Sequence, residues 1–319
     1  MTERSAGLTL RRALALTFAA AVIWFGGRTL IAQWDAVQGV RAAHPVRWGG
    51  VLLASCLTLG SYVVLIETWR RTVLAWGGAI GYAEAARIWL VSNLGRYIPG
   101  KLWQIGAMSV LAERAGVSGT AAVGSALLVS LLHVVVGFAV VAATGGTLLG
   151  SSLPAGTPLL PVLAAIGVAL ASSPWTLPWA AMLAGRLRGR PLTVRRLPPR
   201  AIWIAAVGSA AGWLLFGAAF HLLTIAVLGR PTGDAASSIA VFTLSYLAGF
   251  LALIAPGGIG VREAVLAGLL VQAGSATVAE ATWLVVASRL WLTVLEILPG
   301  VTLLLARPSS RLPSPTAPS

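Results

Sequence analysis

Residues 93–106 read NLGRYIPGKLWQIG and set Arg96 and Lys101 on either side of a helix-breaking Pro99-Gly100 in an otherwise apolar chain. Lys101 is the only lysine among 23 basic residues. A helix that restarts after Pro-Gly aims unpaired N–H groups and the positive end of its dipole at the break. Such an end is an anion site, and adjacent cations strengthen it. The restart falls at Lys101, with Arg96 a turn before it and Gln104 a turn after; Asn93, Tyr97 and Trp103 lie close by in sequence. A second break, Pro256-Gly257, lies in APGGIGVREA at 255–264. There Gly257, Gly258 and Gly260 permit close backbone approach, and Arg262 and Glu263 follow. Two such ends facing each other would hold a phosphate in a dry setting.

Other ionisable residues stand apart from the breaks. Arg289 and Glu296 share one face of the last apolar segment but lie two turns apart, too far to pair directly. Burying either alone is costly, so each needs a partner or a wet cavity. Glu263 suits Arg289, and Arg262 suits Glu296, which is either a structural ion pair or a coupling-proton site. Glu67, just before Arg70, is an interfacial or functional carboxylate. His44, His133 and His221 are scattered, and Cys56 stands alone, so no metal-ligand spacing, cofactor motif or disulfide framework is present.

Composition decides what must position these groups. The 319 residues are 57% hydrophobic and 10% charged, with mean hydropathy +0.86. Soluble domains carry about 25% charged residues, so this is an all-α polytopic membrane protein. The net charge of +14 then reflects cytoplasmic loops and anionic headgroups, not nucleic acid. About 20 apolar residues cross a bilayer, and six segments qualify: 12–31, 48–68, 119–144, 159–183, 201–228 and 278–305. Residues 1–306 form one transmembrane domain, with the first span retained and not cleaved as a signal peptide. The Pro/Ser-rich tail 307–319 is expected to be disordered.

Two regions remain, about 82–116 and 236–274, and they are punctuated alike. Each has an apolar helix, a Pro-Gly break, a short second helix and a small-residue turn, AGVSG at 115–119 or AGSAT at 273–277. A shift of 157 residues lays Pro99 on Pro256, the mark of an internal repeat. The second helices are too short for an easy crossing, so both regions are expected to be re-entrant hairpins with breaks at membrane depth. Fourteen basic residues fall on the side holding both termini, four on the other and five at membrane depth. That split puts the N- and C-termini in the cytoplasm of a bacterial inner membrane. Three spans separate the hairpins, which therefore enter from opposite faces, an inverted repeat of the kind found in secondary transporters.

SNLGRYIPGKLWQIGAMSVLAERAGVS together with LALIAPGGIGVREAVLAG resembles the lysylphosphatidylglycerol synthase transmembrane-region family, also called flippase-like membrane proteins. The resemblance covers essentially the whole membrane part. It implies lipid translocation: aminoacylated phosphatidylglycerol in members fused to a soluble aminoacyl-transfer domain, polyprenyl-phosphate sugar carriers or hopanoids in stand-alone relatives. The family motif carries over to Asn93, Arg96, Pro99, Gly100, Lys101 and Gln104, and to Pro256, Gly257, Gly258, Gly260, Arg262 and Glu263. The aminoacyl-transfer domain has no counterpart here, so translocation without synthesis is the expectation.

Three functions compete. The first is a flippase for a lipid bearing a phosphate headgroup, phospholipid or polyprenyl-linked. The second is a partner subunit of a lipid- or glycan-modifying enzyme, docking through the arginine-rich loop 186–200. The third is an embedded polyprenyl-phosphate-dependent transferase, disfavoured because the outer side offers only Asp35, Asp234 and Glu280 as carboxylates. Glycine-rich helix faces suit internal packing and homo-oligomers equally.

Overall fold

The computed structural model describes residues 34–97, 102–146, 199–252 and 258–305, which are helical with no strand among them. The expected spans 12–31 and 159–183, nearly all of the arginine-rich loop and the tail lie outside the described residues. Nine α-helices are described: α1 (Trp34–Ala43), α2 (Trp48–Ala75), α3 (Tyr82–Asn93), α4 (Leu102–Arg114), α5 (Gly119–Thr144), α6 (Pro199–Leu228), α7 (Ala235–Leu251), α8 (Val261–Gln272) and α9 (Val278–Leu305). A 3₁₀ turn, Leu94–Tyr97, follows α3. Four of the helices, α2, α5, α6 and α9, are long and apolar enough to cross a membrane, as expected of a polytopic membrane protein.

The order long, short, short, long occurs twice, as α2 to α5 and again as α6 to α9. Shifted by 157, the starts of α3, α4 and α5 fall at 239, 259 and 276, against observed starts at Ala235, Val261 and Val278. The packing is also alike: α3 lies against α9, and α7 lies against α5. Each short first helix thus rests on the long closing helix of the other set.

Apolar lipid gives apolar side chains little reason to associate, so close backbone approach through small residues holds such bundles together. The α2–α6 seam is built this way. A methyl group added at Gly50 would lie 2.9 Å from the Ala226 Cβ, one at Gly208 would strike Thr68, and one at Gly212 would lie 3.1 Å from Leu65. Gly208 and Gly212 are four apart, on one face of α6. Between α5 and α6, Trp213 stacks on His133 with ring centroids 4.2 Å apart and donates its indole N–H to the His133 carbonyl at 2.8 Å. Gly137, one turn after His133, leaves room for that indole.

An aromatic cluster fills the centre. Phe216 of α6 contacts Tyr62 of α2 and Phe242 and Tyr246 of α7, with centroids 5.7, 6.0 and 6.3 Å away. Trp213 meets the Tyr246 ring edge-on at 5.5 Å. Such contacts contribute about 0.5–1.5 kcal/mol each beyond area burial and fix α7 against α6.

Candidate functional site

The first break is held by its own flanks. Asn93, the last residue of α3, accepts a hydrogen bond through Oδ1 from the Gln104 amide in the first turn of α4. These two expected ligand residues are therefore bonded to each other, one on each flank of the break. Pro99, Gly100 and Lys101 lie outside the described residues. Tyr97 closes the 3₁₀ turn and Trp103 lies in the first turn of α4.

Arg96, in the 3₁₀ turn, reaches across the bundle. Its Nη1 lies 2.9 Å from Glu296 Oε1 on α9 and donates to the Tyr246 hydroxyl, also at 2.9 Å. Packing of α9 on α3 explains the reach. A methyl group at Gly300 would lie 2.9 Å from both the Leu90 carbonyl oxygen and the Leu94 Cδ2. The closeness of that crossing places Glu296, one turn earlier, beside Arg96.

The second break is set by glycine. Gly258 and Gly260 have φ of +68° and +88°, which side chains beyond glycine rarely adopt. Gly258 lies directly on the backbone of Gly249 in α7, where an added methyl group would lie 2.7 Å from the Gly249 carbonyl oxygen. On the other side of the contact, a methyl group at Gly249 would lie 2.8 Å from the Arg262 Cβ. This approach drives Arg262 under α7. Its guanidinium carbon lies 4.8 Å from the centroid of the Tyr246 ring and 5.2 Å from that of Phe242. Arg262 is 6% exposed, and its Nη2 has no hydrogen-bond acceptor among the described residues. Pro256 and Gly257 lie outside the described residues.

Glu263 does two jobs. Its Oε2 accepts the Gly260 N–H, capping α8, and its Oε1 lies 3.3 Å from Arg289 Nη1 on α9. The expected Glu263–Arg289 pair is present. Glu296, assigned from sequence to Arg262, is instead paired with Arg96. The difference has a geometric cause: the α3–α9 crossing at Gly300 brings the first break to Glu296, while Gly249 sends Arg262 to the ring faces of α7. Glu67 forms a separate cluster on α2, 2.7 Å from Arg70 and 2.7 Å from Arg71.

Sequence reasoning missed Tyr246, Phe242 and Gly249. A signal for Tyr246 was available, because the 157-residue shift lays Trp89 on Tyr246 and so puts an aromatic ring at the same point of both short first helices. Among the described residues no three His, Cys, Asp or Glu side chains gather as a metal site.

Arg96 and Arg262 thus come from the two helix breaks, are separated by 166 positions, and share one tyrosine. Glu296, paired with Arg96, and the Glu263–Arg289 pair complete the cluster. A family model described as Lysylphosphatidylglycerol synthase TM region matches residues 12–300. No curated protein matches the chain significantly.

Proposed function

The chain belongs to the lysylphosphatidylglycerol synthase TM region family, and from that membership we propose that it is a flippase, a transporter and not an enzyme, that moves a lipid with an anionic phosphate between leaflets. The lipid is a phospholipid or a polyprenyl-phosphate-linked molecule. The observation that carries this is the convergence of Arg96 and Arg262 on Tyr246. Two independent helix breaks deliver guanidiniums to one tyrosine, and guanidiniums suit phosphate recognition.

In this proposal α3–α4 and α7–α8 are re-entrant hairpins of an inverted repeat. Helix length supports it: α4 and α8 have 13 and 12 residues, a rise of about 18–20 Å against a hydrocarbon core of about 30 Å. Breaks at that depth are tolerable where protein buries them, and Gly258 is buried against Gly249. The arginine distribution supports cytoplasmic termini in a bacterial inner membrane. Alternate exposure of the Tyr246 cluster to the two faces would then carry a headgroup across.

The test is leaflet exchange in proteoliposomes containing fluorescent phosphatidylglycerol, lysyl-phosphatidylglycerol or a short polyprenyl phosphate. Wild type should accelerate exchange of at least one of them, and Arg96→Ala, Lys101→Ala and Arg262→Gln should abolish it while remaining folded. No exchange of any lipid by wild type would defeat the proposal and favour a partner subunit of a lipid-modifying enzyme.

A further inference from the structure

The two sets of helices carry matching turns at the ends remote from their breaks. Gly77 after α2 and Gly229 after α6 have φ of +83° and +71°, and Gly116 after α4 and Gly274 after α8 have φ of +77° and +64°. The turns after α4 and α8 close alike, with the Val117 N–H on the Ala112 carbonyl at 2.9 Å and the Ser275 N–H on the Leu270 carbonyl at 3.0 Å. That bond is the usual closure of a helix that ends on a left-handed glycine. Ser118 and Thr277 then cap α5 and α9, accepting the N–H of Ala121 and of Glu280, each at 3.2 Å. Counted from these turns, Gly78 corresponds to Arg230, Val117 to Ser275 and Ala121 to Glu280.

The matched backbones carry unmatched chemistry. Arg230 Nη2 donates to both Glu280 oxygens at 2.8 and 2.9 Å, and its Nη1 donates to the Ser275 carbonyl at 3.3 Å. Glu280 Oε2 also accepts the Thr277 N–H at 2.8 Å, the capping box of α9. One arginine therefore ties the segment entering α7 to the turn leaving α8 and to the start of α9. At the corresponding place in the first set, a methyl group at Gly78 would lie 3.4 Å from Val117 Cγ1, an ordinary apolar contact, and Ala121 has nothing to pair with. Arg70 donates to the Ile80 carbonyl at 3.3 Å, which joins α2 to the start of α3 and leaves α4 out. The Trp69 indole reaches the Ala122 carbonyl of α5 at 3.4 Å, a neutral bond longer than usual.

We infer that Arg230–Glu280 is a clasp that shuts the base of the α7–α8 pair, and that the α3–α4 pair, with its neutral base, is the half that opens. A charge-assisted bond is roughly twice as strong as a neutral one, and Glu280 is buried. The breaks differ in the same sense. Gly258 lies on the backbone of Gly249, whereas α3 and α4 are joined across their break by the Asn93–Gln104 side-chain bond. The assignment goes beyond the flippase proposal, because it holds whatever molecule the chain moves.

Hydrogen–deuterium exchange of the full chain in maltoside micelles tests it, with rates corrected for intrinsic amide chemistry. The segments compared are 109–123, across the α4–α5 turn, and 267–281, across the α8–α9 turn. In wild type the first should exchange at least about tenfold faster than the second. Glu280→Gln keeps a side chain able to cap α9 and removes the ion pair, so exchange in 267–281 should rise about fivefold to tenfold while 109–123 is unchanged. Arg230→Gln, at a half-exposed side chain, should do the same without loss of the fold. Raising salt from about 0.05 M to about 0.5 M should speed 267–281 in wild type and in neither variant, since only wild type has a charge pair there to screen.

Equal exchange of the two segments in wild type would overturn the inference. Variants in which 267–281 stays as protected as in wild type would overturn it too. A rise spread evenly over all the helices would show that the pair adds only to global stability, and that outcome also defeats the clasp.

Discussion

Arg96 and Tyr246 are 150 residues apart and share a hydrogen bond of 2.9 Å, from a guanidinium at one helix break to a phenol on the helix that precedes the other. The same phenol ring lies 4.8 Å from the Arg262 guanidinium. Tyr246 therefore links the two breaks through two different physical contacts, an edge hydroxyl and a ring face.

These contacts separate by substitution. Tyr246→Phe removes the hydroxyl and keeps the ring, so Arg96 loses an acceptor while Arg262 keeps its aromatic floor. The expected cost is about 1.5–3 kcal/mol, the range for a hydrogen bond to a charged group, with Glu296 still holding Arg96. Tyr246→Leu removes both contacts and should cost about a further 1–2 kcal/mol. Thermal unfolding in detergent measures both. Equal destabilisation by the two variants would mean that the ring face contributes nothing.

Gly249→Ala should be a damaging small change. Its methyl group would lie 2.8 Å from the Arg262 Cβ, with no flexible side-chain end to move aside. Backbone separation of α7 and α8 is required, at about 1–3 kcal/mol, and Arg262 would leave the ring faces. Gly268, in the middle of α8, has open space around its added methyl group. Gly268→Ala should stabilise by about 0.5–1 kcal/mol through helix propensity. If Gly249→Ala behaved like Gly268→Ala in thermal melts, the close packing of α7 on α8 would be refuted.

Much of this arrangement was legible before any coordinates. The apolar runs at 48–68, 119–144, 201–228 and 278–305 mark the four long described helices, because membrane thickness leaves little choice of helix length. The Glu263–Arg289 pair could be assigned because buried charges must pair. The same rule misassigned Glu296, since pairing demands a partner without naming which of several arginines the helix crossings deliver. Tyr246 escaped for a related reason. An aromatic residue in an apolar helix has no spacing that distinguishes a bundle centre from a lipid-facing position, and only the Gly249–Gly258 contact decides what lies beneath it.

The Arg96–Glu296 pair offers a measurable coupling. Removing either partner leaves a partly buried charge, and each of Arg96→Ala and Glu296→Ala should destabilise by about 1–3 kcal/mol. The double variant should cost less than the two single changes together, by about 0.5–3 kcal/mol. Additive losses would mean that the pair contributes no coupling to stability.

Asn93 and Gln104 pose the sharpest question about the first break, because the family resemblance treats them as ligand residues and the structure joins them to each other. If their bond closes the broken helix, Asn93→Ala and Gln104→Ala should each cost about 1 kcal/mol, the net value of a part-buried hydrogen bond. Their double variant should then cost little more than either alone, since the second change removes a group that has already lost its partner. Phosphate affinity in maltoside micelles should stay within about threefold of wild type, the change that corresponds to about 0.7 kcal/mol. A ligand role predicts the opposite pattern, with melting unchanged and affinity reduced about tenfold by each single variant. Measuring both quantities on the same three proteins separates a staple from a binding residue.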